Sequence, residues 1–329
     1  MIPLKKNFWR MGLLVASVLS VGAGVAHAEP KRIGIANFGE DPLLNAAITG
    51  FKKGLAQAGL VEGKDVAYSM SHTNFDASLV PQMITKLQAE KPSLLFTLTT
   101  PVSQIAKKAL ATSGIPIVFG AVTDPVAAKL VPSWASGDTG MTGASDLQDV
   151  GAIMTFAHQL LPRAKSFGVP YNPGEANDVA LVDKVKAAAA ANGFSVATVG
   201  VDSANDIQQR VASLKGKADV IYNPTSNLLQ PGVGAVAAGA RSVGIPVINA
   251  GNDAVRKGIV LASFAVNYEQ VGFNAGQIAA SILKGADPKT IPVSVPSFKD
   301  HAPTISKRGL AAFNLKLPTS LASCNCLVD

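Results

Sequence analysis

From about residue 30 the chain alternates between two hydrophobic periods. Short, β-branched apolar runs at 32–37, 66–70, 94–98 and 117–122 are separated by stretches in which apolar residues recur every three or four positions. Over 42–58, Leu43, Ala47, Ile48, Phe51 and Leu55 share one helical face, and Gly59 ends the helix. Helices are predicted at 76–89 and 101–112, and a further strand at 141–144. A second series follows: helix 149–161, strand 167–171, helix 175–191, strand 194–200, helix 204–214, strand 219–222, helix 227–242, strands 246–249 and 259–264, and helix 268–284. A Pro-rich stretch and a short helix at 306–313 complete the chain. Strands that read as unbroken apolar runs between helices are those of a parallel sheet covered on both faces, so the fold class is α/β.

The two series echo each other. Ser113-Gly114-Ile115-Pro116-Ile117-Val118 recurs as Val243-Gly244-Ile245-Pro246-Val247-Ile248, each closing a helix and opening a buried strand. Upstream of each copy a strand ends in a polar turn, Thr99-Thr100-Pro101 or Asn223-Pro224-Thr225-Ser226-Asn227. Downstream come Thr123-Asp124-Pro125 and Gly251-Asn252-Asp253. Each half therefore reads as one doubly wound, Rossmann-like lobe. Ligands of such sheets collect outside the carboxyl ends of the strands, where helix N-termini present free N–H groups.

Residues 1–28 have the form of a cleavable export signal: Lys5, Lys6 and Arg10, an uncharged stretch over 11–26, and Ala26-His27-Ala28 as the cleavage site. The apolar stretch contains Gly12, Gly22 and Gly24 and falls short of the roughly 20 residues that span a bilayer. Cleavage after Ala28 places the mature protein outside the cytoplasm, in the periplasm of a Gram-negative cell. Losing those three basic residues lowers the formal charge from +7 to +4. With basic residues scattered rather than striped, a nucleic-acid partner is not expected. Cys324 and Cys326 lie too near the end to staple a core and read as a frayed tail, open to pairing with each other.

Catalytic signatures are missing. His72, His158 and His301 stand far apart, Gly143-Ala144-Ser145-Asp146-Leu147 fails as a nucleophile elbow, and Gly234 and Gly239 are followed by Ala240-Arg241 where a phosphate loop needs Lys-Ser/Thr. Gly232-Val233-Gly234-Ala235-Val236-Ala237 lies several residues past its strand and reads as helix packing rather than a dinucleotide turn. No cofactor and no metal are expected. What remains is a concentration of Thr, Ser, Asn and Asp at strand ends, residues that cap helices and also hydrogen-bond small charged ligands.

These residues carry a family likeness. The run from Gly114 through Phe119-Gly120-Ala121-Val122-Thr123-Asp124 to Val126 resembles the core motif of the substrate-binding proteins of ABC importers, whose known members take up aromatic amino acids such as tryptophan. Further matches are Met141-Thr142-Gly143-Ala144-Ser145-Asp146, the stretch from Leu160-Leu161-Pro162 through Tyr171-Asn172-Pro173-Gly174-Glu175-Ala176-Asn177, and Tyr268-Glu269-Gln270-Val271-Gly272 leading to Ile282-Leu283-Lys284-Gly285. The likeness spans essentially the whole mature chain. It implies the type I periplasmic-binding fold, two lobes joined by three crossing strands, here near 145–149, 264–267 and 292–296. The first lobe is then 29–147 plus 268–290, the second 148–267 plus 291–320, with 321–329 as a Cys-containing tail.

The resemblance implies a cleft lined by Thr99, Thr100, Ser103, Ala121, Thr123 and Asp124 of the first lobe. Tyr171, Asn172, Thr225, Ser226 and Asn227 face them from the second. Phe38 and Asp41 supply an aromatic wall and a polar rim, or else a core residue and a helix cap. Ser226 stands where many relatives carry Asp, and Gly251-Asn252 where they carry an acidic pair, leaving Asp253, Asp124 or Asp41 as candidates for a ligand amine. The implied protein is a monomeric binder of a small organic ligand, captured by lobe closure and delivered to an ABC permease. An amino acid and an amine-free carboxylate both fit, as does a sensor subunit. An enzyme using the same cleft lacks an activated nucleophile or a metal cluster.

Overall fold

The computed structural model describes residues 1–3 and 29–329; the export signal assigned to 1–28 lies, beyond its first three residues, outside the described residues. The first half comprises β1 (Lys31–Asn37), α1 (Pro42–Gln57), β2 (Val66–His72), α2 (Val80–Ala89), β3 (Leu94–Leu98), α3 (Thr100–Ala109), β4 (Ile117–Val122) and β5 (Met141–Ser145). Its five strands form a parallel sheet in the order β2-β1-β3-β4-β5. Strand alternation divides its side chains between two layers. Ile33, Ile35, Leu94, Phe96 and Leu98 pack against α1 on one face, while Leu95, Ile117 and Phe119 pack against α2 and α3 on the other. Phe51 of α1 stacks on Phe96 with ring centroids 3.9 Å apart, and both are fully buried. Burial of one such ring contributes about 1.5–3 kcal/mol.

The second half contains α4 (Val150–Leu160), β6 (Ser166–Tyr171), α5 (Ala176–Ala189), β7 (Ser195–Gly200), α6 (Ile207–Ala212), β8 (Val220–Asn223), α7 (Val233–Ser242), β9 (Val247–Asn249), α8 (Asp253–Arg256) and β10 (Ala262–Val266). After α9 (Tyr268–Leu283), the chain ends with β11 (His301–Ser306), α10 (Lys307–Ala312) and β12 (Leu327–Val328). The second sheet runs β12-β11-β10-β9-β8-β6-β7, with β11 antiparallel to β10. Phe167, Val169, Val220 and Tyr222 face α4 and α5; Ile221 and Val247 face α6 and α7. The protein is thus an α/β molecule of two doubly wound lobes, each with both sheet faces covered.

The chain passes between the lobes three times. The first passage follows β5 into α4. At the second, β10 ends at Val266 and α9 returns to the first lobe, where it lies along α1. That contact is close because it is made by glycines. A Cβ on Gly50 would stand 1.8 Å from the Glu269 carbonyl oxygen, and one on Gly272 would stand 1.8 Å from that of Ala47. On the third passage, Ser294 pairs with Ala144 beside β5, and β11 then joins the second sheet. Residues 291–294, expected in the second lobe, therefore run along the first sheet, held by the Ser145 N–H to Ser294 carbonyl bond at 2.8 Å.

Three other expectations are corrected, and one short helix is added. The helix expected over 227–242 begins only at Val233, because Pro231 and Gly232 interrupt it. The strand expected at 259–264 is displaced to 262–266. The polar turn at 251–253 leads directly into the short helix α8. The C-terminal tail, expected to fray, is docked: Cys324 and Cys326 form a disulfide, Cys326 is buried in the core of the second lobe, and its carbonyl accepts from the Ile305 N–H at 2.8 Å. The tail reaches the core because β11 presents an open sheet edge, which β12 covers at Ile305 and Ser306.

Candidate functional site

The carboxyl ends of β1, β3 and β4 face that of β8, and the loops leaving them line a narrow cavity of about 30 Å³ between the lobes. The first lobe contributes Asp41, Leu43, Leu44, Phe75, Thr99, Ala121 and Asp146; the second contributes Thr225, Ser226, Asn227, Gln230 and Pro231; and Tyr268 comes from the passage between them.

Thr99 and Ala121 end adjacent strands with their backbones at φ +80° and +55°. Positive φ is costly for a residue with a Cβ, and more so for a β-branched one; here it turns both chains outward at the cavity wall. The Thr99 N–H donates to the Gly120 carbonyl, which locks the two turns together. Thr99 precedes α3, yet its hydroxyl caps no N–H of that helix. The hydroxyls of Thr99 and Thr100 are buried and have no protein partner, at the positive end of the α3 dipole. Ser103, by contrast, turns inward, bonding the Thr99 carbonyl at 2.7 Å and the Thr97 hydroxyl at 2.8 Å.

The aromatic wall of this cavity is Phe75. Phe38, which sequence placed there, is buried behind it with ring centroids 5.5 Å apart, edge to face, and reaches only a neighbouring part of the cleft. A Cβ on Gly39 would stand 2.3 Å from the Phe75 ring, so glycine is what lets the ring fold over the loop. That opposed glycine was the one sequence signal for Phe75, and it has no meaning without the fold.

On the second lobe, Ser226 accepts from the Leu228 and Leu229 N–H groups. Asn172 and Asn227 converge on Glu175, which accepts their side-chain N–H groups at 3.0 and 2.6 Å. Asp178 accepts the Asn172 backbone N–H at 2.6 Å. Its carboxyl is pushed well above the usual carboxylate range by burial and then by the charge of Glu175. Tyr171 sits half-buried at the end of β6, against the core.

Three candidate acids are otherwise engaged. Asp41 caps α1, accepting the Leu43 N–H at 2.8 Å, and burial raises its carboxyl above the ordinary range. Asp124 caps its own turn through the Val126 and Ala127 N–H groups and pairs with Lys184 of α5 at 3.0 Å. Asp253 pairs with Lys257 at 2.7 Å and lines a separate depression alongside Asn252's helix start rather than this cavity.

Sequence reading passed over Asp146, the acid that does line the cavity. Asp146 is buried, accepts the Tyr268 hydroxyl through Oδ2, and has no partner at Oδ1. Burial raises its carboxyl, opposed chiefly by the hydrogen bond from Tyr268. Thr123 is buried and is not among the residues that line the cavity. Both Asp146 and Tyr268 stand in motifs singled out above, but their meeting follows from the lobe crossings.

Among the described residues no cluster of His, Cys, Asp or Glu is arranged to hold a metal, and no helix is long and apolar enough to cross a membrane.

The family model described as "ABC transporter substrate binding protein" matches residues 32–322. A tyrosine-binding protein of Clostridioides difficile (strain R20291) is 33% identical over 264 residues, covering 80% of this chain and 76% of the relative. Among solved structures, an ABC domain in complex with L-Trp from Streptococcus pneumonia is 28% identical, with a TM-score of 0.84 over 92% of this chain and all of that one. The ligand-free, open structure of a substrate-binding protein with adhesive properties from Clostridium difficile is 34% identical over 91% of this chain and 98% of that one, with a TM-score of 0.69. The chain thus superposes better on the complex than on the open form with which it shares more residues. A two-lobed scaffold, a cavity built from strand-end turns of both lobes, and a family match over nearly all of the described sequence together make this chain a member of the ABC transporter substrate-binding protein family.

Proposed function

We propose that the protein captures an amino acid with an aromatic side chain by closing its two lobes, and presents it to an ABC permease. Members of the family are extracytoplasmic binding proteins that serve an ABC transporter. The observation that carries the ligand class is the pairing, in one interlobe cavity, of the Phe75 ring with the unpartnered Thr99 hydroxyl at the α3 N-terminus. The ring offers an apolar face, and the hydroxyl and helix dipole suit a carboxylate. The ligands named for two relatives, tyrosine and L-Trp, support the same class. Closure follows from differential contact: a ligand touching Thr99 and Thr225 at once stabilises the arrangement in which both lobes reach it. The leader through Ala28 is removed in this reading, leaving a periplasmic protein that begins at Glu29.

The test is a thermal-shift panel of the twenty amino acids on purified mature protein, followed by calorimetry on the hits. Aromatic amino acids are expected to raise the melting temperature most. If none of the twenty produced a shift, the ligand class would be wrong. N-terminal sequencing of protein recovered from the periplasmic fraction should read from Glu29.

A further inference from the structure

The cavity lining contains two carboxylates, Asp41 and Asp146, and no lysine, arginine or histidine. Asp41 commits one oxygen to capping α1. Asp146 is 2% exposed, with Oδ2 on the Tyr268 hydroxyl and Oδ1 unpartnered. The other acids around the cleft are occupied: Asp124 by Lys184, Asp253 by Lys257, and Glu175 and Asp178 by asparagine amides and backbone N–H groups. A second, separate orphan belongs to the same lining, the hydroxyl of Thr99, a residue 3% exposed.

A buried carboxylate without a counter-charge is unfavourable by several kcal/mol, and a cation brought by a ligand removes that penalty. An α-amino acid brings an ammonium and a carboxylate on one carbon. Its carboxylate has the Thr99 hydroxyl and the α3 N-terminus to meet, and its ammonium needs an anionic acceptor within the same cavity.

Resting on the amino-acid reading above, we infer that Asp146 is the ammonium acceptor and the residue that selects amine-bearing ligands. Its Oδ1 receives the ligand ammonium while Oδ2 stays tied to Tyr268. The Tyr268 hydroxyl is then a positioning group: it fixes which carboxylate oxygen faces the cavity. Asp253, the acid that sequence reading favoured for this task, belongs to Lys257.

The experiment is calorimetric titration of L-tyrosine and of its amine-free analogue, para-hydroxyphenylpropionate, on wild type, Asp146→Asn and Tyr268→Phe. Wild type is expected to favour tyrosine by at least about tenfold, the size of one charge-assisted hydrogen bond. Asp146→Asn should abolish that preference by weakening tyrosine alone, whereas Tyr268→Phe should retain it, because the carboxylate is still present. A merely structural role for the pair would weaken both ligands equally and make the two variants alike, which overturns the inference. Equal binding of the two ligands by wild type overturns it without any variant, so failure of Asp146→Asn to fold does not protect it. Tyrosine binding with unchanged preference in Asp146→Asn refutes the assignment of Asp146 and leaves the amino-acid reading standing. If wild type binds no amino acid at all, the reading itself has failed, and the inference with it.

Discussion

Lys184 Nζ of α5 lies 3.0 Å from Asp124 Oδ2 at the end of β4, so one ion pair joins the two lobes beside the ligand cavity. Lys184 is partly exposed while the Asp124 carboxylate is nearly covered, at 36% and 11% of their side-chain surfaces. The pair exists only while the lobes are close, so it favours the closed state without belonging to either lobe's core. Lys184→Met, which keeps the aliphatic stem, is expected to weaken ligand binding by about two- to fivefold, the range of a partly exposed pair. The loss should shrink as salt is added. Calorimetry at low and high ionic strength measures both effects; an unchanged affinity at low salt would show that the pair does not contribute to closure.

Thr99 combines a backbone conformation that suits glycine with a hydroxyl that faces the cavity, and two substitutions separate these roles. Thr99→Ala and Thr99→Gly both remove the hydroxyl and should weaken binding of an amino-acid ligand by about 1–2 kcal/mol. Only glycine relieves the positive φ. In urea denaturation, Thr99→Gly should therefore be more stable than Thr99→Ala by about 1–3 kcal/mol. Equal stabilities would mean that the turn carries no strain.

The raised Asp178 carboxyl gives a pH dependence of defined sign. Between the ordinary aspartate value near 3.8 and its higher folded value, Asp178 holds its proton in the folded state but has lost it in the unfolded one. The folded state therefore binds more protons in that window, and stability contributed by this group falls as pH rises through it. Asp178→Asn keeps an acceptor for the Asn172 N–H and does not titrate. Urea denaturation from about pH 4 to about pH 8 should show wild type losing stability relative to the variant as pH rises. A difference that stays flat would place Asp178 outside this linkage.

Truncation after Leu321 tests the docked tail. It removes β12, the buried Cys326 side chain and the carbonyl that accepts the Ile305 N–H, and should cost at least about 2 kcal/mol in unfolding free energy. Ligand affinity of the folded fraction should not change, because β12 is the outer strand of the second sheet and lines no part of the cavity. A melting temperature equal to that of the full chain would mean that the tail is not part of the fold.

Periodicity was enough to read α1 and the strands at 32–37, 94–98 and 117–122, because each buries a regular face and ends at a Gly, Pro or polar turn. It failed where a segment is defined by its neighbours. β11 carries Pro303 and alternates little, but its missing N–H is harmless because β12 covers that edge only at Ile305 and Ser306. The candidate site divides in the same way. Thr99, Ala121 and Thr225 could be read as strand-end residues of a doubly wound sheet. Asp146 and Tyr268 could not, since they are 122 positions apart and meet only where β5 leaves one sheet and α9 re-enters it. Ser103 has the right residue type in the right turn, and local geometry points its hydroxyl at protein partners instead.

The return of α9 to the first lobe also sets when that lobe can form. Its core is incomplete without Val271, Ala275, Ala279 and Leu283, which pack with Ile33, Ile35 and Phe51. A chain emerging from its N-terminus presents β1 to β5 long before this helix, and residues of the second lobe come between them. Gly50 and Gly54 then leave a bare groove on α1 that only the backbone at Gly272 and Gly276 fits. Stable packing of the first lobe must wait until residue 283 has been made, so the half synthesised first is not free to finish folding first. A protein built in this order stays open to unfolded-chain handling through most of its synthesis, and the last helix to return closes that interval.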